Sequence, residues 1–298
     1  MLSVIIVNYK NEDLTVSFVL KQLSKITMQY NVVISNNGAD KESDKRLAEP
    51  LNATIVYDKN SRIDNKRKVY ILHNEENLGF ARGNNLAAEF CRKNFNSSFI
   101  LFTNNDIEFL DNDVVESLVK KIQEIEKAAI IGPKVIGIDG RLQSPEPYES
   151  FTKKFIYPYV EPFLFWRSKD ESKNKYSETA KEGFHYRVMG SFFLCNAEDF
   201  FSCGMMDSGT FLYFEECILS ERILRIGKGV YYYPNSSVLH VHNQTIGKYA
   251  SFKRQRDLMF DSGVYYFRKY KNVSILLVCI AWLAKELSKI VGTVRRRL

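Results

Sequence analysis

Short apolar runs alternate with amphipathic segments through the first hundred residues. Continuous apolar runs without proline are typical of strands that are buried on both faces of a sheet. Runs of this kind occupy residues 2–9, 31–35, 69–72 and 99–102. Apolar positions at helical spacing follow the first run over residues 12–26, and a similar pattern from Leu86 to Cys91 precedes the last run. This order of strands and helices predicts a parallel sheet with crossover helices.

Turn-forming and charged residues separate the second predicted strand from the third. The sequence Asn-Asn-Gly-Ala-Asp at 36–40 indicates a turn. Residues 41–68 fit neither the helical nor the strand period, and we interpret the polar stretch 58–68 as a solvated insertion. We therefore assign no element between residues 41 and 68.

A regular pattern returns after residue 110 and then breaks down. Residues 113–127 predict an amphipathic helix, and the apolar run 128–131 predicts a strand closed by Gly132-Pro133. From about 139 to 183, aromatic residues and prolines mix with charges without a period. Long irregular stretches inside a domain are usually functional, so this one predicts a loop over a cleft or a surface facing an acceptor or a membrane. The alternative is a flexible insertion without function.

The buried pattern resumes beyond this irregular segment. Apolar runs predict strands over 188–194 and 229–234, and helical spacing follows the acidic pair Glu215-Glu216. The sequence thus predicts an α/β fold whose regular pattern is interrupted over residues 41–68 and about 139–183.

Composition narrows the functional classes only slightly. The 298 residues are 45% hydrophobic and 26% charged, as in ordinary globular proteins. The net charge of +7 suits a phosphate-bearing ligand, an anionic membrane or nucleic acid, but lysines and arginines are scattered and no nucleic-acid motif occurs. The five cysteines show no CxxC spacing, which predicts reduced thiols in a cytosolic protein. The chain opens directly on an apolar run, which predicts no signal peptide.

A polar cluster follows the apolar run 99–102. Open α/β sheets bind ligands outside the carboxyl ends of their strands, and Asn104, Asn105 and Asp106 stand at such an end. Asp106 offers a hard oxygen ligand to a divalent cation, and Asn104 offers a neutral amide to a sugar hydroxyl. The alternative is a simple turn, because Asn and Asp are common turn formers.

The segment from Asn77 to Asn85 lies between a predicted strand and a predicted helix. Its glycines, Gly79 and Gly83, allow close approach of the backbone to a phosphate or sugar, with Arg82 nearby. The segment is neither a GxGxxG nor a Walker sequence, so it supports neither dinucleotide nor P-loop chemistry. The alternative is a loop that needs glycine for its turn.

Two further groups carry candidate chemistry. Glu215 and Glu216 follow an aromatic run, where a carboxylate can acquire a raised pKa and act as a general base. The alternative is that both carboxylates simply favour a helix N-terminus. His240 and His242 share one face of an extended segment, and imidazole is a common metal ligand, although histidine pairs are also often structural.

Taken together, these motifs resemble family 2 glycosyltransferases of the bacterial rhamnosyl- and galactofuranosyltransferase type. The matching segments are, in order, 4–9, 34–39, 77–85, 101–106 and 211–216, followed by Arg222, Tyr233-Pro234 and His240. The resemblance covers residues 1 to about 245. It implies a GT-A-type fold, a Rossmann-like mixed sheet flanked by helices, with a nucleotide-sugar half (1–110), an acceptor half (111–245) and a C-terminal helical extension (246–298).

The resemblance also implies a role for each matching position. The expected contacts to a UDP- or dTDP-linked sugar are Asn8, Asn36, Asn77, Gly79, Arg82, Gly83, Asn84 and Asn104. Asp106 and His240 are implied ligands of Mg²⁺ or Mn²⁺ bridging the donor phosphates. Glu216 is the implied base of an inverting transfer to a glycan or lipid-linked acceptor, with Glu215, Gly190 and Arg222 on the acceptor side. Together these roles imply a part in bacterial surface polysaccharide synthesis.

Two positions depart from the family pattern. Glu216 stands where the family usually has Asp, which changes the reach of the base. Asn36 stands where the family has a base-recognising Asp, and it can still bond a pyrimidine but adds no charge. These departures keep open an inactive member of the fold that binds a nucleotide sugar or a partner protein.

The C-terminal segment suggests a location. Residues 273–284 are nearly all apolar, but Lys285 and Glu286 end the run well short of the ~20 residues that span a bilayer. The amphipathic, basic continuation to Arg297 predicts a helix lying on an anionic membrane, at the inner face of the cell membrane of a cytoplasmic protein. The alternatives are a helix packed on the core and a helix in a homo-oligomer interface.

Overall fold

The computed structural model describes residues 1–59, 62–63, 67–160, 172–241 and 251–295. Within these residues, ten strands form one sheet. They are β1 (Leu2–Tyr9), β2 (Tyr30–Asn37), β3 (Thr54–Val56), β4 (Val69–Asn74), β5 (Phe99–Thr103), β6 (Ile107–Phe109), β7 (Ala128–Gly137), β8 (Gly183–His185), β9 (Phe192–Asn196) and β10 (Gly229–His240).

Helices flank both faces of this sheet. They are α1 (Glu12–Lys21), α2 (Lys41–Leu51), α3 (Gly79–Asn94), α4 (Val114–Glu124), α5 (Phe151–Phe155), α6 (Tyr157–Val160), α7 (Ser172–Thr179), α8 (Ala197–Ser202), α9 (Glu215–Arg225), α10 (Phe252–Lys271) and α11 (Ile275–Arg295). A 3₁₀ turn over Leu23–Lys25 follows α1, so the helix predicted over 12–26 is confirmed in both parts.

The sheet is mixed and runs in the order β3-β4-β2-β1-β5-β9-β7-β10-β6, with β8 beside β10. The five strands from β3 to β5 are parallel, which confirms the parallel sheet predicted for this half. β9 lies antiparallel between β5 and β7, whereas β7 and β10 pair in parallel. The carboxyl ends of β1, β2, β4, β5 and β10 therefore lie along one edge.

Two strands are longer than predicted because each continues through a proline. The sequence placed the ends of these strands at Gly132-Pro133 and at Pro234, but β7 continues to Gly137 and β10 to His240. The register between the two strands shifts between Tyr233 and Ser237. Such an irregularity accommodates residues that cannot donate a ladder hydrogen bond. The longer β10 carries His240 to the edge where the carboxyl ends of the parallel strands lie.

Helix α2 was missed in the sequence because most of its positions are charged. Asp40 caps it by accepting a hydrogen bond from the Ser43 backbone N–H at 2.7 Å, and Leu47 and Leu51 are its buried apolar residues. An apolar stripe of two leucines is too narrow to stand out as a helical period. Five of the eleven residues of the predicted solvated insertion over 58–68 lie outside those described.

Helix α3 begins earlier than the pattern suggested. The helical spacing starts at Leu86, but the helix already starts at Gly79, whose φ is +77°. The Asn77 side chain accepts a hydrogen bond from the Gly79 N–H at 3.1 Å and so caps the entry. Residues 79–85, for which a loop was the alternative interpretation, form the first two turns of the helix.

Three apolar clusters hold these layers together. One packs α1, α2 and α4 against one face of the sheet, and the second packs α3, α8 and α9 against the other. The third joins α5 and α9 to α10 and α11. The segment 139–183 contributes to it through Phe151 and Phe155, so the described part of this segment is partly ordered into short helices rather than a plain loop.

The two C-terminal helices differ in how they are covered. Helix α10 packs into the third cluster, whereas α11 leaves many large apolar side chains exposed: Ile275, Leu276, Ile280, Trp282, Leu283 and Leu287. Among the described helices, none is long and apolar enough to cross a membrane.

Candidate active site

Buried asparagines organise the ends of β1 and β2. The Asn8 amide donates to the Asn36 side-chain oxygen at 2.8 Å, and Thr15 donates to Asn8 at 2.8 Å. The Asn36 amide in turn donates to Asp44 and to Ser43, both at 2.9 Å. Both asparagines are fully buried, so in this arrangement they shape the strand ends rather than face the open cleft.

An open depression lies beside these strand ends. It holds about 790 Å³ and is lined mainly by polar side chains from the ends of β2 and β4. Within it, His73 bonds to Asp44 at 2.6 Å, and the Tyr57 ring lies 5.1 Å from the His73 ring. Sequence analysis missed both residues. The polar pair that ends the apolar run 69–72, His73-Asn74, is a signal that could have found His73, whereas no pattern in the sequence singles out Tyr57.

The two glycines near the start of α3 make room for protein atoms. A Cβ on Gly79 would lie 2.4 Å from the Phe211 carbonyl oxygen, and one on Gly83 would lie 3.2 Å from Val7 and from Asn37. The Asn84 amide donates back to the Phe80 carbonyl at 3.0 Å. These contacts favour the interpretation of glycines required for packing, and the predicted phosphate contacts of this segment stay a prediction.

Arg82 is the exposed member of the same segment. Its Nε donates to the Ser208 carbonyl at 3.2 Å, and the side chain is exposed at the surface. The helix start is therefore joined directly to the chain segment that precedes α9.

Asp106 and His240 meet at the sheet edge, as their positions at strand ends predict. The imidazole Nε2 lies 3.4 Å from Asp106 Oδ1, and both side chains are nearly buried. Asp106 Oδ1 accepts no hydrogen bond from any residue that the structure describes. Neighbouring ligands of one six-coordinate Mg²⁺ lie about 3 Å apart, at ligand distances of about 2.1 Å. An oxygen and an imidazole nitrogen at this spacing fit a shared divalent cation.

The protein supplies only part of such a coordination shell. Among the described residues, no group of three or more His, Cys, Asp and Glu side chains could hold an ion. The remaining ligands would come from a bound molecule or water. His242, the second predicted histidine, lies outside the described residues.

The two residues before Asp106 differ in their burial. Asn105 is buried and donates to Thr15 at 2.7 Å. Asn104 is half-buried, and its backbone N–H donates to the Ser191 carbonyl at 2.8 Å. This cluster does form a turn, which was the alternative considered for it. The turn lies at the sheet edge, and its hydrogen bond to Ser191 connects the end of β5 to the start of β9.

Glu216 approaches the same edge from the start of α9. A Cβ on Gly190 would lie 2.5 Å from Glu216 Cγ, so the glycine makes the space that the carboxylate occupies. Gly190 is the neighbour of Ser191, which bonds to Asn104. On its other side, Glu216 Oε1 lies 3.9 Å from Arg187 Nη1. Glu216 is thus linked, through Gly190 and Ser191, to the turn that carries Asn104 and Asp106.

A pocket of about 230 Å³ opens next to Glu216. Aromatic rings dominate its wall, with Arg187 and Glu146 forming an ion pair at its side. Its lining includes Tyr148, Tyr186, Tyr213, Phe214 and Phe267. Sequence analysis found the aromatic character of residues 139–183 but not Arg187, because a single arginine in an irregular stretch carries no pattern.

Glu215 has a different environment from its neighbour. Its side chain is buried, and Oε1 accepts no hydrogen bond within the described part of the chain. Burial, followed by the nearby charge of Glu216, raises the pKa of Glu215 to about 8. Glu215 is thus a poor candidate for a solvent-facing ligand but a carboxyl that retains its proton near neutral pH.

The Arg222 side chain bonds to other parts of the protein, although the sequence predicts a contact on the acceptor side. It lies 3.1 Å from Asp207 and donates to the Met205 carbonyl at 2.9 Å and to the Tyr270 hydroxyl at 3.0 Å. Burial opposes the charge on Asp207, but hydrogen bonds from Lys269 and Tyr270 hold the pKa of that carboxyl well below its usual range. In this structure, Arg222 links α9 to α10.

The backbone immediately before α9 is strained. Tyr213 and Phe214 both adopt left-handed conformations, with φ of +75° and +69°. Such conformations are unusual for bulky residues and cost about 1–3 kcal/mol each unless the surroundings enforce them. Strain of this kind clusters at functional sites, and here it directly precedes the two glutamates.

Comparison with known proteins adds a family and a fold. Residues 3–196 match the family model described as glycosyl transferase family 2. The structure of GalNAc-T7 with UDP, GalNAc and Mn²⁺ aligns with a TM-score of 0.55 at 16% identity, covering 91% of this chain and 49% of that one. This chain thus spans about half of the GalNAc-T7 chain.

Two microbial structures align similarly. The mannosyltransferase PcManGT from Pyrobaculum calidifontis, in complex with GDP-Man and Mn²⁺, gives a TM-score of 0.52 at 10% identity, covering 97% of this chain and 75% of that one. Residues 1–349 of S. aureus TarS give 0.51 at 10% identity, covering 91% and 73%. At these identities the similarity shows the fold alone. No curated protein sequence matches the chain.

Proposed function

Because this chain belongs to glycosyl transferase family 2 and has its GT-A fold, we propose that it is a metal-dependent, inverting glycosyltransferase. It would move a sugar from a nucleotide donor to a glycan or lipid-linked acceptor in bacterial surface polysaccharide synthesis. The observation that carries this proposal is the contact of Asp106 with His240 at the ends of β5 and β10, with Glu216 linked to the same turn through Gly190 and Ser191. The rhamnosyl- or galactofuranosyltransferase-like subtype is part of the proposal.

The donor would lie along the edge formed by residues 1–110. The depression beside His73 and Tyr57 is the place for the base and ribose of a UDP- or dTDP-sugar. Arg82, exposed at the start of α3, would approach the diphosphate. Asn8 and Asn36, which are buried, would support this surface through Asp44 and His73.

Asp106 Oδ1 and His240 Nε2 would hold Mg²⁺ or Mn²⁺. When bound, the cation would offset negative charge on the departing nucleoside diphosphate. Asn104, at the same turn, would bond a hydroxyl of the donor sugar.

Glu216 would act as the general base, with the acceptor in the adjoining pocket. The acceptor hydroxyl gives its proton to the Glu216 carboxylate as its oxygen bonds to the anomeric carbon. The bond from that carbon to the diphosphate breaks on the opposite side, which inverts the configuration. Arg187 and Gly190 orient the carboxylate, and the acceptor half (111–245) supplies the pocket wall.

A purified-protein assay tests the proposal against the inactive alternative. Thermal shift with UDP-, dTDP- and GDP-sugars, with and without Mn²⁺, identifies the donor, and release of the nucleoside diphosphate then reports turnover. We expect metal-dependent donor hydrolysis or transfer that is lost in Glu216→Gln. Donor binding without turnover under all conditions would instead support a nucleotide-sugar-binding protein.

We further propose that α11 attaches the protein to an anionic membrane surface at the cytoplasmic face. The exposed apolar residues Leu276, Trp282 and Leu287 support this, together with the basic residues toward its end. Lys285 does not contribute to this attraction, because it is buried and pairs with Asp257 at 2.8 Å.

Liposome sedimentation tests the membrane proposal. The double variant Leu276→Glu/Leu287→Glu should leave anionic liposomes, while Leu20→Glu, an exposed leucine on α1, should still sediment. If the double variant binds as before but a wild-type dimer becomes monomeric, α11 forms an interface between copies instead.

A further inference from the structure

His240 makes a second contact, to a residue that no motif singles out. Its Nδ1 lies 2.9 Å from the side-chain oxygen of Gln143. Gln143 follows a tight turn after β7, held by hydrogen bonds from the Gln143 N–H to the Val135 carbonyl and from the Gly137 N–H to the Arg141 carbonyl, both at 2.9 Å. The turn brings the glutamine beside the end of β10.

The packing around Gln143 defines its position. In the ladder, His240 is paired with Gly137, and a Cβ on Gly137 would lie 2.7 Å from Gln143 Nε2. Glycine at 137 therefore leaves the space in which the amide lies.

The chemistry of this contact selects one form of the imidazole. An amide oxygen only accepts, so the proton of a neutral His240 must reside on Nδ1. The lone pair of Nε2 then points toward Asp106 Oδ1, the buried oxygen described above. The other tautomer would carry its proton on Nε2 and could donate it to Asp106, filling the place of a cation.

We propose that Gln143 is a positioning residue that holds His240 in the tautomer able to bind a metal. This inference rests on the proposed metal-dependent function. Partners that orient metal-bound histidines typically change metal affinity by about 10–100-fold when removed.

The first test reads the tautomer without any metal. In full-length protein labelled with ¹⁵N-histidine, the ring nitrogen shifts of His240, assigned with His240→Gln, should show the Nδ1–H form at pH 8. Gln143→Leu should shift the population toward Nε2–H. An Nε2–H form in the wild type would overturn the proposal.

The second test measures Mn²⁺ binding, alone and with UDP, from the electron paramagnetic resonance of free Mn²⁺. We expect Gln143→Leu to weaken binding about 10–100-fold. Gln143→Glu, which keeps an acceptor oxygen, should remain near wild type, as should Gln123→Leu on the exposed face of α4. Wild-type affinity in Gln143→Leu would refute the positioning role.

Asp106→Ala distinguishes a failure of the proposed metal site from a failure of the proposed role of Gln143. If this variant binds Mn²⁺ as tightly as the wild type, the metal site of the proposed function fails, and the Gln143 proposal fails with it. If it loses Mn²⁺ while Gln143→Leu keeps it, only the role of Gln143 is wrong.

Discussion

The proposed donor edge and the loop before α9 are built in opposite ways. At the donor edge, side chains from neighbouring parallel strands bond to one another, as Asn8 does to Asn36. The loop from Asp207 to Phe214 instead depends on α10, a helix that comes later in the chain. Ser262 donates to the Leu212 carbonyl at 2.7 Å, and Tyr265 donates to Asp207 at 2.9 Å.

Aromatic packing adds to the contacts that hold this loop against α10. The ring of Phe214 lies between those of Phe155 and Tyr266, at centroid distances of 5.9 Å and 5.5 Å. Since the Phe214 backbone adopts a left-handed conformation, this packing offsets the free-energy cost of that conformation. The comparison teaches that the proposed donor edge is held by contacts within the sheet, whereas the loop that leads into Glu216 is held by α10. Changes on the two sides should therefore separate donor affinity from turnover.

The largest separation between the effect on turnover and the effect on donor affinity is expected for substitutions of Glu216. Glu216→Gln should lower kcat by about 10²–10⁴-fold, because a general base is lost, with donor affinity nearly unchanged. Glu216→Asp should retain more activity than Glu216→Gln, and Glu215→Gln should cost less. Initial rates at saturating donor measure all three. A dead Glu215→Gln beside an active Glu216→Gln would show that the base is the other glutamate.

The buried Glu215 should make stability depend on pH. Its pKa is raised from 4.5 to about 8 in the folded state, so the native protein binds more protons than the unfolded chain between these values. Stability should fall as pH rises through that window, by up to about 1.4 kcal/mol per pH unit. Denaturant unfolding from pH 5 to 8 should show this slope in the wild type and a flatter one in Glu215→Gln. The exposed Glu89→Gln is the control. Parallel slopes for wild type and Glu215→Gln would contradict the prediction.

Substitution of the proposed metal ligands, Asp106 and His240, should affect the binding of the donor. Asp106→Ala and His240→Ala should each weaken Mn²⁺-dependent donor binding by more than the ~10–100-fold typical of losing an outer-shell partner, because each removes a direct ligand. Calorimetry with the identified donor, with and without Mn²⁺, measures the loss. Unchanged Mn²⁺ affinity in both variants would remove the cation from this edge.

A smaller effect on turnover should come from α10 itself. In Gly263→Ala, the added Cβ would lie 2.2 Å from the Phe155 ring and 3.0 Å from Phe214. Overpacking of this kind typically costs about 1–3 kcal/mol, and we expect kcat to fall while the donor Kd stays within error. The exposed Asp261→Ala on the same helix should change neither. An equal loss of donor affinity would show that the two regions are not separable.

The parts predicted correctly are those whose signal is local. Asp106 and His240 each end an apolar run, so their meeting at one edge follows from strand direction, although β10 reaches it only by passing Pro234. The bracing of Arg222 by Asp207 and Tyr270 could not be predicted, because it depends on how α9 packs against α10. Helix α2 was missed for a different reason, since its burial rests on two leucines.

The antiparallel strand β9 has a consequence for folding. Phe99 of β5 pairs with Asn196 of β9, so the two strands are separated by about a third of the chain. During synthesis, the parallel strands of the first hundred residues could assemble before β9 emerges, because domains fold progressively from the N-terminus. Until then, β5 would present the unpaired edge of an apolar strand, Phe99 to Phe102, which is a template for aggregation. Ribosome-bound chains ending before residue 192 should therefore depend most on chaperones.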